Sequence, residues 1–143
     1  MLVSEIMNTN VKTIKSVDTI QQAAKTMNKY RIGGLLVLNG KRLVGILTER
    51  DIMKKIVATA KDPVKTKVEQ VMTKKLIVVD GNTNIEEAAK LMIKYDIKKL
   101  PVVQGNGILG MVTSTDILAS QPKQIDNLCK MLLFKKNERL VAG

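Results

Sequence analysis

An internal repeat is the feature that most restricts how this chain of 143 residues can fold. When the sequence is shifted along itself by 65 positions it matches without a gap: Ile20–Ile32 aligns with Ile85–Ile97, and Gly45–Ile52 aligns with Gly110–Ile117. Roughly a third of the aligned positions are identical, far more than unrelated segments give. A copy of this size buries too little surface to be stable alone, so we expect the two copies to pack together into one folded structure.

Each copy is predicted to contain a helix, two strands and a second helix, in that order. Apolar residues recur at helical spacing early in both copies, and Asp18 and Asn84 stand where a helix N-cap is expected. Two apolar runs follow, joined by Asn39–Gly40 in the first copy and Gly105–Gly107 in the second, which predicts two hairpins. These runs are too continuous for a sheet that is wet on one face, so helices are expected to cover it.

The repeat predicts how the chain is divided. Residues 1–57 form the first repeat and residues 68–120 the second. Residues 58–67 are polar, contain Pro63 and are interpreted as a linker. Pairing the two sheets face to face about a pseudo-two-fold axis would complete a core and leave two equivalent clefts between the copies.

Residues 121–143 are predicted to form a helical tail, because Ile125, Leu128, Met131 and Leu132 fall on one helical face. The default expectation is that this face packs on its own module; a dimer contact and docking on a partner are the alternatives. Cys129 is interpreted as a small buried hydrophobe rather than a reactive thiol.

The residue types exclude several chemistries. The chain has no histidine, one cysteine and only three aromatic residues, so the core is expected to be aliphatic. Histidine-based catalysis, a cysteine metal site and an internal disulfide are excluded, and no nucleophile–base set emerges, so no enzyme and no metal site are predicted. No apolar run approaches the ~20 residues of a membrane helix, and the first residues do not resemble a signal peptide. We therefore expect a soluble, cytoplasmic protein.

A formal net charge of +11 favours anionic partners. The surplus of lysine and arginine over acids lies mainly in residues 1–65 and in the tail. Either a solvated basic surface or a nucleic-acid-binding protein would explain it. Against nucleic acid, the chain lacks a helix-turn-helix or zinc signature and has few aromatics for stacking on bases.

The repeated ending G-h-h-T-x-x-D-I (h, apolar), preceded by h-x-x-A-A-x-x-M, resembles a cystathionine β-synthase (CBS) domain pair, also called a Bateman module. The resemblance covers residues 1–120. It implies an α+β fold with a βαββα order in each repeat and two clefts between paired sheets. It also implies AMP, ADP or ATP as regulatory ligand, ahead of S-adenosylmethionine, a homodimer of pairs, and control of a separate effector protein.

Two aspartates are the predicted centres of the nucleotide sites. Asp51 and Asp116 can each accept hydrogen bonds from both ribose hydroxyls. Thr48 and Thr113, three residues earlier, suit phosphate at the approach to a helix. The alternative is that each threonine and aspartate simply cap the helix that follows, and the two roles can coexist.

The resemblance also predicts which residues face the base and the phosphate. The base would contact small or aliphatic side chains: Ala23 and Ile32 opposite Met111 in one cleft, and Ala88 and Ile97 opposite Ile46 in the other. At the pocket entrance and around the phosphate the two copies differ: Asp18, Gly33, Gly34 and Arg50 in the first, and Thr83, Lys98, Lys99 and Thr115 in the second. Core alanines and solvated lysines are the alternatives. We predict that Asp116's cleft, with Lys98, Lys99, Thr113 and Thr115, differs in affinity or ligand choice from Asp51's cleft, with Arg50 and Thr83.

Overall fold

The computed structural model describes residues 1–120, 129–131 and 133. These residues form two compact units. The first-repeat unit contains Val11–Leu76 and Gly105–Ile108. The second-repeat unit contains Met1–Asn10, Ile77–Gln104 and the described residues from Leu109 onward.

The first-repeat unit has a three-stranded sheet in the order β1-β2-β3, with two helices. Its elements are β1 (Thr13–Lys15), α1 (Ile20–Tyr30), β2 (Gly34–Asn39), β3 (Arg42–Thr48), α2 (Glu49–Ile52) and a π-helical turn (Met53–Val57). Strand β1 pairs in parallel with β2, and β2 pairs antiparallel with β3. The hairpin turns at Gly40, whose φ of +63° is one that glycine adopts without steric cost.

The second-repeat unit repeats this order. Its elements are β4 (Val79–Asp80), α3 (Ile85–Tyr95), β5 (Lys99–Gln104), β6 (Gly107–Thr113) and α4 (Ser114–Ser120). The sheet order is β4-β5-β6, and Gly105, with φ of +59°, begins the turn between the last two strands. The predicted α+β class, the βαββα order and both hairpin positions are confirmed.

The two units have separate cores made of aliphatic and methionine side chains. In the first-repeat unit Ile20, Leu35 and Leu47 are almost fully buried, and in the second-repeat unit Ile85 and Leu100 are. The helix α1 lays one apolar face on its sheet, as the sequence spacing predicts. No helix among the described residues is long and apolar enough to cross a membrane.

The helix starts confirm one predicted cap and correct the other. Asn84 caps α3, accepting a hydrogen bond from the backbone N–H of Glu86 at 3.2 Å. In the first repeat the N-cap is Thr19, not Asp18: the Thr19 hydroxyl accepts from the N–H of Gln22 at 3.2 Å and the Gln22 side chain accepts from the N–H of Thr19 at 2.8 Å. The Asp18 carboxylate accepts from the N–H of Lys15 at 3.3 Å. Because the Asp18 carboxylate binds the backbone of the preceding turn, Thr19 forms the reciprocal capping box with Gln22 instead.

The segment that precedes each repeat belongs to the unit of the other repeat. We call residues 1–10 and 66–75 the leading segments. Residue 8 of the first forms an antiparallel bridge with Met111 of β6, and residue 73 of the second forms the equivalent bridge with Ile46 of β3. Each bridge consists of two backbone hydrogen bonds of 2.8 to 3.0 Å. The last strand of each sheet is therefore bridged by a leading segment that is distant from that strand in the sequence.

Two glycines make room for the leading segments. A Cβ at Gly110 would lie 2.7 Å from the carbonyl oxygen of Asn8 and 2.9 Å from the sulfur of Met7. A Cβ at Gly45 would lie 2.6 Å from the sulfur of Met72 and 3.0 Å from a backbone carbonyl oxygen. The glycines that begin the repeated motif therefore permit a close approach of two backbones.

The tail prediction is covered only in part by the described residues. Ile125, Leu128 and Leu132 lie outside them. Met131 is 9% exposed and packs into the core of the second-repeat unit. Cys129 is a free cysteine that is half-buried. Among the described residues, the contact of Met131 with this core supports packing of the tail on its own module.

Candidate functional site

The repeated Thr-x-x-Asp sequence forms a reciprocal cap in the first repeat, where β3 passes into α2. The Thr48 hydroxyl accepts a hydrogen bond from the N–H of Asp51 at 3.2 Å. The Asp51 carboxylate accepts from the N–H and from the hydroxyl of Thr48, both at 3.1 Å. The capping role considered from the sequence is therefore confirmed for this pair.

Asp51 has further partners that occupy its carboxylate. The Thr73 hydroxyl donates to it, lying 3.2 Å from Oδ1 and 3.4 Å from Oδ2. The Lys55 ammonium forms an ion pair with Oδ1 at 3.1 Å. The same ammonium donates to the carbonyl of Val71 at 2.8 Å, so it is held at two points. Asp51 is only 8% exposed.

Asp116, the equivalent residue of the second repeat, has much freer oxygens. Its Oδ2 accepts from the N–H of Thr113 at 2.9 Å, and its own N–H donates to the Thr113 hydroxyl at 3.2 Å. Within the described part of the chain its carboxylate has no other hydrogen-bond donor and no ion pair. Asp116 is half-buried, and no described residue donates a hydrogen bond to its Oδ1.

The difference between the two aspartates comes from two positions that the sequence prediction did not include. A shift of 65 positions aligns Lys55 with Ser120 and Thr73 with Asn8. The Ser120 hydroxyl donates to the carbonyl of Ile117 at 2.9 Å, within its own helix. The Asn8 side chain accepts from a backbone N–H in its own segment at 2.9 Å. The signal in the sequence that could have pointed to this difference is that the two repeats have different residues at these two positions.

The residues predicted to face the base fall into two groups. Ala23 and Ala88 are fully buried within the two cores, so their side chains present no surface to a ligand. The partly exposed ones are Ile32 and Ile46 in the first-repeat unit and Ile97 and Met111 in the second. Ile46 and Met111 occupy equivalent places, since each forms the backbone bridge to a leading segment. The predicted pairing of residues from different repeats around one base stays a prediction.

The predicted phosphate region differs in charge between the repeats. Lys98 and Lys99 are exposed, and the Lys98 carbonyl accepts from the N–H of Ser114 at 2.9 Å, which fixes this loop beside the start of α4. In the first repeat the equivalent loop residue is Gly33, and a Cβ there would lie 3.5 Å from the carboxyl group of Glu49. A cation in one repeat is thus replaced by a nearby anion in the other.

The side chains of the remaining predicted residues form no described hydrogen bond or ion pair with either aspartate. Arg50 and Thr115 are exposed, and they are the second residues of α2 and α4 respectively. Gly34 pairs with Thr48 in the sheet. Asp18 and Thr83 lie at equivalent loop positions, and the carbonyl of each accepts from the first residue of a leading-segment turn, at 2.8 Å and 2.9 Å respectively.

A surface cavity of about 360 Å³ lies in the first-repeat unit, between α1 and the α2 region. Its wall includes Met27, Ile32 and Met53, with Arg31 and Glu49 as charged members. It includes Ile32 from the predicted base-contacting set but neither Thr48 nor Asp51. This cavity is therefore distinct from the aspartate cap.

No group of three or more cysteine, aspartate or glutamate side chains that could hold a metal ion occurs among the described residues. The two aspartate caps are polar sites that the two repeats share. A carboxylate that accepts from neutral hydroxyls and exposed lysines that attract an anion could serve the same ligand.

Comparison with known proteins agrees with this architecture. CBS domain-containing protein YhcV of Bacillus subtilis is 34% identical over 119 residues, which cover 83% of this chain and 84% of that protein. The crystal structure of Hypoxic Response Protein I with two coordinated zinc ions gives a TM-score of 0.77 at 30% identity, covering 85% of this chain and 100% of the other. A CBS-domain protein of unknown function from Thermoplasma acidophilum, TA0289, gives a TM-score of 0.77 at 29% identity, with 95% and 76% covered.

The family model of the CBS domain matches this sequence twice, at residues 3–58 and at residues 68–123. The start points of the two matches are 65 residues apart, which is the period of the internal repeat. Together with the likeness to solved CBS-domain structures, the double match shows that this chain belongs to the CBS-domain family of regulatory modules.

Proposed function

We propose that this CBS pair is a sensor that binds an adenosine phosphate and passes the signal to a separate effector protein, without catalysing a reaction itself. The observation that carries the proposal is the partly filled carboxylate of Asp116 in the first turn of α4. We also propose a cytoplasmic location, which is compatible with a nucleotide ligand.

The chemistry of the second repeat matches the parts of such a ligand. The Asp116 carboxylate would accept from the 2′- and 3′-hydroxyls of the ribose, and both bonds would be charge-assisted. The exposed ammonium groups of Lys98 and Lys99 would attract the phosphate. Ile97, which is partly exposed, offers apolar surface to the adenine. A carboxylate repels phosphate, so it favours a pose with the sugar at Asp116.

Thermal unfolding with AMP, ADP, ATP and S-adenosylmethionine tests this proposal. A ligand at 100 times its Kd stabilises the folded protein by about 2.7 kcal/mol, which gives a clear rise in the melting temperature. We expect Asp116→Asn to abolish that rise, because the amide replaces an ionised acceptor. Glu87→Gln, which removes an exposed acid on α3 in the same unit, is the matched control and should keep it. No rise with any of the four ligands would refute the proposal.

Nucleic-acid binding is a second candidate, favoured by the net charge of +11. Short DNA and RNA duplexes should be titrated at two salt concentrations alongside the nucleotides. Affinity that falls steeply with salt and does not depend on sequence would indicate charge attraction alone. Affinity that persists at physiological salt while the nucleotides have no effect would favour this candidate instead.

We also propose that two copies of the pair associate. A hexameric CBS-CP12 protein from cyanobacteria, 34% identical and with a TM-score of 0.72, shows that a related structure assembles. That chain is matched over 68% of its length, so its hexamer is a property of that protein. Light scattering during size-exclusion chromatography would measure the mass; a monomer at micromolar concentration would contradict the dimer.

A further inference from the structure

We infer that Lys55 and Thr73 close Asp51 to ligand, so that the chain binds one ribose diol, at Asp116, and not two. This inference rests on the proposed function. It means that Lys55 and Thr73, which lie outside the predicted site, determine which repeat binds the ligand. The equivalent positions in the second repeat, Ser120 and Asn8, leave their aspartate open.

The first argument is the number of donors that Asp51 already has. An ionised carboxylate offers about four lone-pair positions on its two oxygens. The N–H and hydroxyl of Thr48, the Thr73 hydroxyl and the Lys55 ammonium all lie within 3.2 Å of one of those oxygens. A diol could bind only by displacing at least two of these donors. At Asp116 one backbone N–H is the only donor among the described residues, so a diol would add bonds without displacing any other described donor.

The second argument is that Lys55 is held in place. Its ammonium contacts Asp51 Oδ1 at 3.1 Å and the Val71 carbonyl at 2.8 Å. The π-helical turn that carries Lys55 begins immediately after α2, whose cap contains Asp51. Moving the ammonium away would leave an 8% exposed carboxylate with one fewer cation and a carbonyl without its donor. Both losses oppose a ligand at this repeat.

The third argument is the charge near the predicted phosphate position. In the first repeat, Glu49 and its carboxyl group lie beside Gly33, and Arg50 is the neighbouring exposed cation. In the second repeat the residue equivalent to Glu49 is Ser114, and the residue equivalent to Gly33 is Lys98. These charges therefore favour binding of an anion in the second repeat, which is also the repeat with the open carboxylate.

The repeat supplies its own matched variants. Lys55→Ser with Thr73→Asn gives the first repeat the two residues of the second. Ser120→Lys gives the second repeat the lysine of the first, four residues after Asp116, where it can form the same ion pair. Lys54→Ser is the control, because Lys54 is exposed and makes no described contact with the cap.

Isothermal titration calorimetry with AMP measures both the number of sites and the Kd. We expect one site in the wild-type chain and in Lys54→Ser, and two sites in the Lys55→Ser/Thr73→Asn double variant. Ser120→Lys should weaken binding at least tenfold. Far-UV circular dichroism before each titration establishes that the variant is folded, and if the double variant unfolds, Ser120→Lys and Lys55→Ser alone decide the outcome.

The possible results separate this inference from the proposed function. Two sites of similar affinity in the wild-type chain, or a single unchanged site in both folded exchange variants, would overturn the inference while leaving nucleotide binding intact. The absence of heat with AMP, ADP and ATP in every variant would overturn the proposed function, and the inference with it. A gain of the second site on removing Lys55 and Thr73 supports both.

Discussion

Replacing Gly110 by alanine tests whether the glycine of the repeated motif is there to admit a leading segment. The added Cβ would lie 2.7 Å from the carbonyl oxygen of Asn8, whereas an ordinary contact of this kind begins near 3.4 Å. The carbonyl must therefore retreat by about 0.7 Å. That same oxygen accepts the N–H of Met111 at 2.9 Å, and the return bond from Asn8 to the Met111 carbonyl is 2.8 Å.

The expected cost follows from these contacts. Weakening the two backbone hydrogen bonds costs about 1 kcal/mol together, and forcing an extra methyl group into a packed contact adds about 1–3 kcal/mol. We expect Gly110→Ala to lower the free energy of unfolding by about 2–4 kcal/mol. For a chain of this length that is a fall of roughly 8–16 °C in melting temperature.

Thermal unfolding followed by far-UV circular dichroism measures this effect, and two further glycines calibrate it. Gly45→Ala should cost less, about 1–2 kcal/mol, because its nearest neighbour is the flexible Met72 side chain and the backbone oxygen is at 3.0 Å. Gly33→Ala should change stability by less than about 1 kcal/mol, since its nearest neighbour would be at 3.5 Å. A Gly110→Ala protein that melts within 2 °C of wild type would refute the reasoning.

Two other sets of variants test local features by urea unfolding. Arg31 and Ala60 adopt positive φ of 53° and 56°, so Arg31→Gly and Ala60→Gly should each stabilise the protein by about 0.5–1 kcal/mol; a loss of stability in both would contradict the strain argument. Asp51→Ala should cost about 2–3 kcal/mol, because a cap and a largely buried ion-pair partner are removed, whereas Asp116→Ala should cost about 1 kcal/mol for the cap alone. Equal losses in the two alanine variants would show that the Lys55 and Thr73 contacts do not stabilise the first repeat.

Local patterns were sufficient to predict the elements of each repeat. Glycine at the hairpins and apolar spacing in the helices depend on residues that are near in sequence, and both are found where expected. The error at Asp18 was avoidable. The period of 65 aligns Asn84 with Thr19, and Thr19 with Gln22 has the form of a capping box.

The features that distinguish the two aspartates could not be predicted in this way. Asp51 and Thr73 are separated by 22 residues, and their contact depends on the leading segment crossing to the other repeat's sheet. The sequence shows that Thr73 and Asn8 differ, but not that either one reaches an aspartate. Local pattern reasoning predicted two unequal sites from the different charges of the phosphate loops, but it did not predict the contacts of Lys55 and Thr73 with Asp51.

The crossing of the leading segments also sets an order in which the molecule can be completed during synthesis. The first-repeat unit needs residues 11–76 for its sheet, its helices and its leading segment, so most of it is available once the chain has reached Leu76. Residues 1–10 must wait longer, because their backbone partners include Gly81, Thr83 and Met111 of the second-repeat unit. Until the ribosome has passed those residues, this leading segment lacks partners and stays exposed to proteases and chaperones. A segment made before the first repeat is thus secured only after the second repeat has been made.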